Sequence, residues 1–286
     1  MKIGIIGSGG YIAEHLKSRI LEDGIHKVKM LGRRESSDIY IDLLDLSEFD
    51  FSQLDGLDYL IFTAAISGPD ICASKYEYAR KINVTSTIAI VEEAVNRGCR
   101  VLFFSSDAVY GADSGCVFDE DSPLNGSTPY GKMKKEVENY FTNEDLFKAI
   151  RLSYVVSESD KFVAYCLKCR KEKVDAEIFH PFYRSCVTLS DVLDTVIWLI
   201  DNWGEFNPKA INVTGSELVS RVRIVDEINR MTDNRINYVI NTPIETFYNN
   251  RPAITQMTSK YLWKYGIVDR ESFTNKLRKQ MEEIII

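Results

Sequence analysis

A chain of 286 residues, 45% hydrophobic and 27% charged, carries enough apolar side chains for one sizeable core with a smaller appended lobe, which excludes a disordered polypeptide. Its formal charge of -7 repels nucleic acid and anionic membrane alike, so a phosphate-bearing ligand needs a local basic site. Six scattered cysteines read as thiols, no window approaches a membrane span, and the apolar N-terminal run is too short for a signal peptide, so a cytoplasmic location is expected.

Strand and helix alternate along the first half, the pattern of a parallel sheet covered on both faces. Ile3 to Ile6 is a short apolar run that ends in Gly7-Ser8-Gly9-Gly10, after which Ile12, Leu16 and Ile20 recur at helical spacing up to Asp23-Gly24. Lys27 to Leu31, Ile39 to Ile41 and Tyr59 to Phe62 read as the next three strands. One long helix is predicted over about 74 to 96, with Ala79, Ile82, Ile90, Val91 and Ala94 as its inner stripe and Gly98 as its stop. Val101 to Phe104 is a fifth strand. Residues 111 to 127, rich in Gly, Asp, Ser and Asn, read as a loop, and Pro129 opens a helix that carries Tyr130 to about Phe141. Ala149 to Val156 reads as a sixth strand, followed by helices near 161 to 171, 190 to 202 and 219 to 231 and a strand at Ala210 to Val213.

Gly7-x-x-Gly10-x-x-Ala13 lies between a predicted strand and a predicted helix, the context in which such a loop cradles a pyrophosphate: Gly7 turns sharply, Gly10 admits the ligand to the backbone, and the helix N-terminus attracts the charge. Ala13 stands where a third glycine is usual. At the end of strand two, where a carboxylate binds the ribose of NAD, the chain reads Leu31-Gly32-Arg33-Arg34. Two guanidinium groups there suit a 2'-phosphate and favour NADP over NAD, although they also suit a solvated surface pair.

Ser105-Ser106-Asp107 closes strand five on the edge where open parallel sheets bind ligands, and Tyr130 and Lys134 project from one face of the next helix. A lysine ammonium is expected to lower the tyrosine pKa from about 10 and make it a usable proton donor or acceptor, while a serine hydroxyl holds the reacting oxygen. Cys166-Leu167-Lys168-Cys169 has CxxC spacing without a second pair or nearby histidine and fits a helix; no metal is expected.

With GxxGxxA after strand one, Thr63-Ala64-Ala65, Asn83, Ser105-Ser106-Asp107-Ala108-Val109-Tyr110-Gly111, Pro129-Tyr130-Gly131-Lys132-Met133-Lys134, Arg151-Leu152-Ser153-Tyr154 and Arg251-Pro252, the chain resembles the extended short-chain dehydrogenase/reductases that act on nucleotide sugars. The resemblance implies a Rossmann-type doubly wound α/β domain over 1–156 that holds NAD(P). It also implies a smaller mixed α/β lobe over 157–286 that closes on a nucleoside diphosphate sugar, with about 187–213 returning to the first domain. It places Gly7, Gly10, Tyr11 and Ile12 around the pyrophosphate, Asp42 and Leu43 at the adenine, and Ala64, Ala65 and Asn83 along the middle of the cofactor. Tyr130 and Lys134 would reach the nicotinamide ribose.

Members that dehydrate the sugar carry an acid and a base after the serine, typically Asp-Glu. Asp107-Ala108 lacks the second carboxylate, so a dehydratase is not expected, and Asp107 resembles a substrate contact of the 4-ketoreductases. The leading expectation is reduction of the 4-keto group of a nucleoside-diphosphate 4-keto-6-deoxy sugar, with Ser106, Tyr130 and Lys134 catalytic and Ser106, Asp107, Tyr154 and Arg184 as substrate contacts. A 4-epimerase uses the same trio, and a non-catalytic dinucleotide sensor is the reading from another class. The resemblance also implies a homodimer, although the outer residues Glu77, Arg80, Glu92 and Lys135 equally suit a solvated face.

Overall fold

The computed structural model describes residues 1–111, 115–233 and 235–285. Residues 112–114 of the predicted 111–127 loop lie outside it. Two compact units are formed: Met1–Tyr110, Leu124–Arg151 and Val196–Ile211 make the first, and Gly111–Pro123, Leu152–Thr195 and Asn212–Ile286 the second.

The first unit is built on a Rossmann-like seven-stranded sheet. The strands Lys2–Ile6 (β1), Lys27–Gly32 (β2), Ile39–Tyr40 (β3), Tyr59–Phe62 (β4) and Arg100–Ser106 (β5) join Phe147–Leu152 and Ala210–Val213 in the order 210–213, 147–152, β5, β4, β1, β2, β3. β1 pairs in parallel with β2 on one side and β4 on the other, Ile6 lying beside both Leu31 and Phe62. Every residue of β4 is buried, because parallel strands covered on both faces have no solvent side. The strand order reverses at β1, which puts the ligand crevice of such sheets beyond the carboxyl ends of β1 and β4. Helices Tyr11–Leu21 (α1) and Pro129–Tyr140 (α5) follow β1 and β5.

The single helix predicted over 74–96 is replaced by four pieces: Pro69–Ser74 (α2), Tyr76–Arg80 (α3), a π-helical turn Lys81–Ser86 and Thr87–Asn96 (α4). Within the widened turn Asn83 is buried, and its carboxamide accepts from Ile66 N–H at 2.8 Å and donates to Ile66 C=O at 2.9 Å. The Thr87 hydroxyl satisfies the Ile82 carbonyl, five residues back, at 2.9 Å. Arg80 pairs with Glu136 at 2.5 Å, and the Tyr140 hydroxyl donates to Glu92 at 2.5 Å, so two of the residues assigned to an outer face tie α3 and α4 to α5.

The second unit takes the segment after Gly111 that the expected 1–156 boundary left with the first. Val117–Phe118 is a strand rather than loop, paired with Ile254–Met257 in a four-stranded sheet that also contains Tyr183–Arg184 and Val219–Ser220. Glu120 anchors it by accepting from Asn212 N–H at 2.9 Å, Ser259 Oγ at 2.6 Å and Lys260 N–H at 2.8 Å. The return to the first unit runs over Val196–Ile211, inside the predicted 187–213. The predicted sixth strand ends at Leu152, and Val155–Val156 pairs separately with Val187–Thr188. Cys166 and Cys169 lie on the buried side of helix Lys161–Glu172, packed with Ile178, Ile224 and Leu277. Among the described residues no helix is long and apolar enough to cross a membrane.

Candidate active site

Gly7 is the hinge between β1 and the loop that follows. Its φ of 109° is one that side chains rarely adopt, and a Cβ there would stand 2.6 Å from Thr63 Oγ1 and 3.0 Å from Ala64 N. The loop is thereby pressed against the end of β4, where Thr63 N–H and Ala64 N–H both bond Ile6 C=O. Gly10 is the N-cap of α1 and offers no side-chain cap, an arrangement that suits an anion at the first turn, Tyr11 and Ile12, of this eleven-residue helix. Ala13 is fully buried behind it, a methyl accommodated where helix and sheet meet closely. These features fit a dinucleotide pyrophosphate.

Arg34 lies over this loop. Its Nη2 donates to Gly9 C=O at 2.9 Å, and Nη1 is 3.8 Å from Glu14, while Arg33 is exposed. The hydroxyls of Ser8 and Ser37 share a hydrogen bond of 2.7 Å in the same corner. Asp42 accepts from Leu44 N–H at 2.9 Å, and Leu43 C=O from the Ser86 hydroxyl at 2.6 Å, which fixes the loop assigned to the adenine. Asn83 holds the Ala64-Ala65-Ile66 segment through its paired bonds to Ile66.

β5 delivers Ser106 in extended conformation to a short turn, Asp107–Val109. The Ser106 hydroxyl donates to Asp107 Oδ1 at 3.0 Å and accepts from Ala108 N–H at 3.2 Å. α5 starts on Thr128, whose hydroxyl caps Gly131 N–H at 3.2 Å, with Pro129 in the first turn. A Cβ on Gly131 would run into Ala108 C=O, so only glycine lets this helix lie directly on the turn that carries Ser106. One helical turn apart, Tyr130 and Lys134 share a face. Lys134 is 1% exposed, donates from Nζ to Phe104 C=O at 2.7 Å, and lies 4.3 Å over the Phe103 ring and 5.8 Å from the centre of the Tyr130 ring.

The electrostatics of this pair differ from expectation. Burial pushes Lys134 down to about 7, opposed by the charges of Glu138 and Cys72. Tyr130 keeps some accessible surface but stands deep among protein atoms, and burial, with Cys72 and Asp107 adding to it, raises its pKa above that of an ordinary phenol rather than lowering it. The ammonium is directed at the Phe104 carbonyl, and the low dielectric that surrounds both groups penalises both charged forms. Burial thus favours the neutral phenol at Tyr130.

Lys134 also sets a pH dependence. Its folded-state pKa near 7 lies below the unfolded value of about 10.4, so the unfolded chain binds more protons between these values. Its contribution to stability is least below pH 7 and rises as pH climbs through that window. Between pH 7 and 9 the protein is expected to gain on the order of 1–2 kcal/mol relative to Lys134→Met, measured by urea unfolding. Parallel pH profiles for the two proteins would contradict the assignment.

Three buried residues that sequence reasoning did not single out as functional lie below the trio. Glu138 Oε2 accepts from Arg151 Nε at 2.9 Å and Nη2 at 2.7 Å, Arg151 Nη1 donates to the Tyr110 hydroxyl at 2.9 Å, and the Ser105 hydroxyl bonds Glu138. The signal was present as an acidic residue one further turn along the face that bears Tyr130 and Lys134, and as an arginine within a mostly apolar strand. Cys72, fully buried, donates to Ile66 C=O at 3.1 Å. Two expected substrate contacts belong to the second unit and are engaged there. Tyr154 donates to Asp160 at 2.6 Å, and Arg184 donates to the carbonyls of Tyr183 at 2.6 Å and Pro252 at 2.8 Å.

The profile of the NAD dependent epimerase/dehydratase family matches residues 3–213. The chain belongs to this family. Family members are NAD(P)-dependent oxidoreductases and epimerases. A UDP-glucose 4-epimerase of Erwinia amylovora is 29% identical over 180 residues, which make up 54% of this chain and 52% of the relative, so the chain spans about half the length of that relative. The fold is also that of a dTDP-4-dehydrorhamnose reductase from Clostridium acetobutylicum, 20% identical with a TM-score of 0.85 over 100% of both chains. A UDP-glucuronic acid 4-epimerase from Bacillus cereus, solved with UDP-glucuronic acid and NAD, is 19% identical with a TM-score of 0.82 over 99% of this chain and 98% of its own.

Proposed function

We propose that this member of the epimerase/dehydratase family is an NADPH-dependent reductase of the 4-keto group of a nucleoside-diphosphate 4-keto-6-deoxy sugar. The observation that carries the proposal is the placement of Tyr130: through Gly131 its helix lies directly on the turn that follows Ser106, and Tyr130 shares a helix face with Lys134. A phenol so placed can give its proton to an alkoxide held by Ser106. Ala108, where a dehydratase needs a carboxylate, offers no base for removing a carbon-bound proton.

A nicotinamide cofactor held by the glycine loop after β1 would supply a hydride for C4. Ser106 turns its hydroxyl from Asp107 to the substrate carbonyl and stabilises the charge that develops there. Tyr130 passes its proton to the same oxygen, Lys134 stabilises the phenolate that remains, and Asp107, released from Ser106, accepts from a sugar hydroxyl. Arg34 over the glycine loop and the exposed Arg33 support recognition of a 2'-phosphate.

Purified protein with NADPH and a 4-keto-6-deoxy nucleotide sugar should consume the cofactor, followed at the nicotinamide absorbance. Arg34→Ala is expected to raise KM for NADPH about tenfold and to leave KM for NADH nearly unchanged; equal effects on both would remove the 2'-phosphate from the account. A 4-epimerase is the second reading, favoured by the similarity to the Erwinia enzyme. Tightly retained NAD, with no net cofactor consumption on any such ketone, would select it over the reductase.

A further inference from the structure

α5 is riveted to β5 along one line. Tyr130, Lys134 and Glu138 succeed each other at one-turn spacing, and the partners of the last two are neighbours at the end of β5: Lys134 donates to Phe104 C=O, and Ser105 donates to Glu138. A one-residue slip of the helix would break every one of these contacts. Glu138 is 6% exposed and carries Arg151 bidentately, with Arg151 bonded in turn to Tyr110, one residue beyond the turn that starts at Asp107.

We propose that Glu138 is a positioning residue for the catalytic pair: its carboxylate, bonded by Ser105 and held bidentately by Arg151, fixes the register of α5 on β5 and with it the place of Lys134 one turn away. The proposal rests on the reading of Tyr130 and Lys134 as catalytic, but its test does not. A buried ammonium with only a carbonyl for partner loses its proton readily, and a carboxylate one turn away opposes that loss. The other groups that face Lys134 are the Tyr130 phenol on its own helix, the Cys72 thiol on α2 and the Phe103 ring on β5. Among these neighbours Glu138 is the carboxylate whose charge acts on Lys134 directly. Arg151 shares that carboxylate, which limits the size of the effect and keeps Glu138 ionised.

The measurement is a pH titration of the Lys134 side chain in the cofactor-free protein by carbon-13 NMR of ε-labelled lysines, the signal assigned with Lys134→Arg. Glu138→Gln is expected to lower the Lys134 pKa by about half a unit to one unit, and Glu138→Asp, which keeps the charge, to hold most of the wild-type value. If Glu138→Gln does not fold, Glu138→Gln/Arg151→Met removes the orphaned guanidinium as well, and a smaller downward shift is expected in it, since a positive charge leaves with the negative one. An unchanged or raised Lys134 pKa in a folded charge-removed variant, or an equal fall in Glu138→Asp, overturns the proposal. Because the titration uses no substrate, its failure leaves the reductase reading standing, and failure of the reductase assay leaves this result standing.

Discussion

Turnover of Tyr130→Phe is expected to fall by about 10²- to 10⁴-fold, with the fold and the affinity for cofactor retained. The substitution removes one hydroxyl and keeps the ring that lies near Lys134. Helix α5 is held by its Thr128 cap, by Lys134 on Phe104 and by Glu138 on Ser105, none of which involves the phenol, so the helix has no reason to move. Loss of a transition-state contact alone lowers kcat and kcat/KM together. Stopped assays at saturating NADPH give the first quantity, and circular dichroism verifies the fold. Turnover close to that of the wild type would mean that another group is the proton donor.

Arg151→Met is expected to cost about 3–5 kcal/mol of stability. Arg151 and Glu138 side chains are 8% and 5% exposed, so removal of the guanidinium strands a carboxylate in low dielectric and takes a donor from Tyr110. The companion Glu138→Gln/Arg151→Met strands neither charge of this pair and is expected to recover much of that loss. An exposed pair makes the control: Glu172→Gln, whose partner Lys168 is 70% exposed, should leave the urea midpoint unchanged. Equal midpoints for Arg151→Met and Glu172→Gln would show that the buried pair contributes nothing to folding.

Much of the first unit was legible because buried parallel strands are written as uninterrupted apolar runs, and Gly7, Gly98 and Pro129 punctuate them where the backbone demands it. The break at Lys81–Ser86 was not, since one widened turn shifts the phase of an apolar stripe by too little to distinguish it from a continuous helix. Strands of two to four residues such as Val117–Phe118 and Ile254–Met257 carry no period at all, and their pairing joins distant parts of the chain, so the interleaving of the units was hidden.

Within the candidate site, Ser106, Tyr130 and Lys134 were readable from spacing and order. What spacing does not contain is burial. A lysine one turn from a tyrosine suggests a lowered phenol pKa, yet enclosure of both groups raises the phenol and lowers the amine. The same blindness hid Glu138 and Arg151, because charged residues are ordinarily read as surface. Tyr154 and Arg184 were candidate substrate contacts with packing or surface roles as alternatives; the structure gives them hydrogen-bond partners inside the second unit, which no spacing rule foretells.

The most direct test of the account follows the hydride itself. Nicotinamide C4-deuterated NADPH is given to the protein with a 4-keto-6-deoxy nucleotide sugar, and the sugar product is analysed by mass spectrometry and proton NMR. The reductase predicts one deuterium at C4 of the product and one oxidised cofactor released for each sugar reduced. An inverted or unchanged sugar without deuterium, formed with no cofactor consumed, would contradict it.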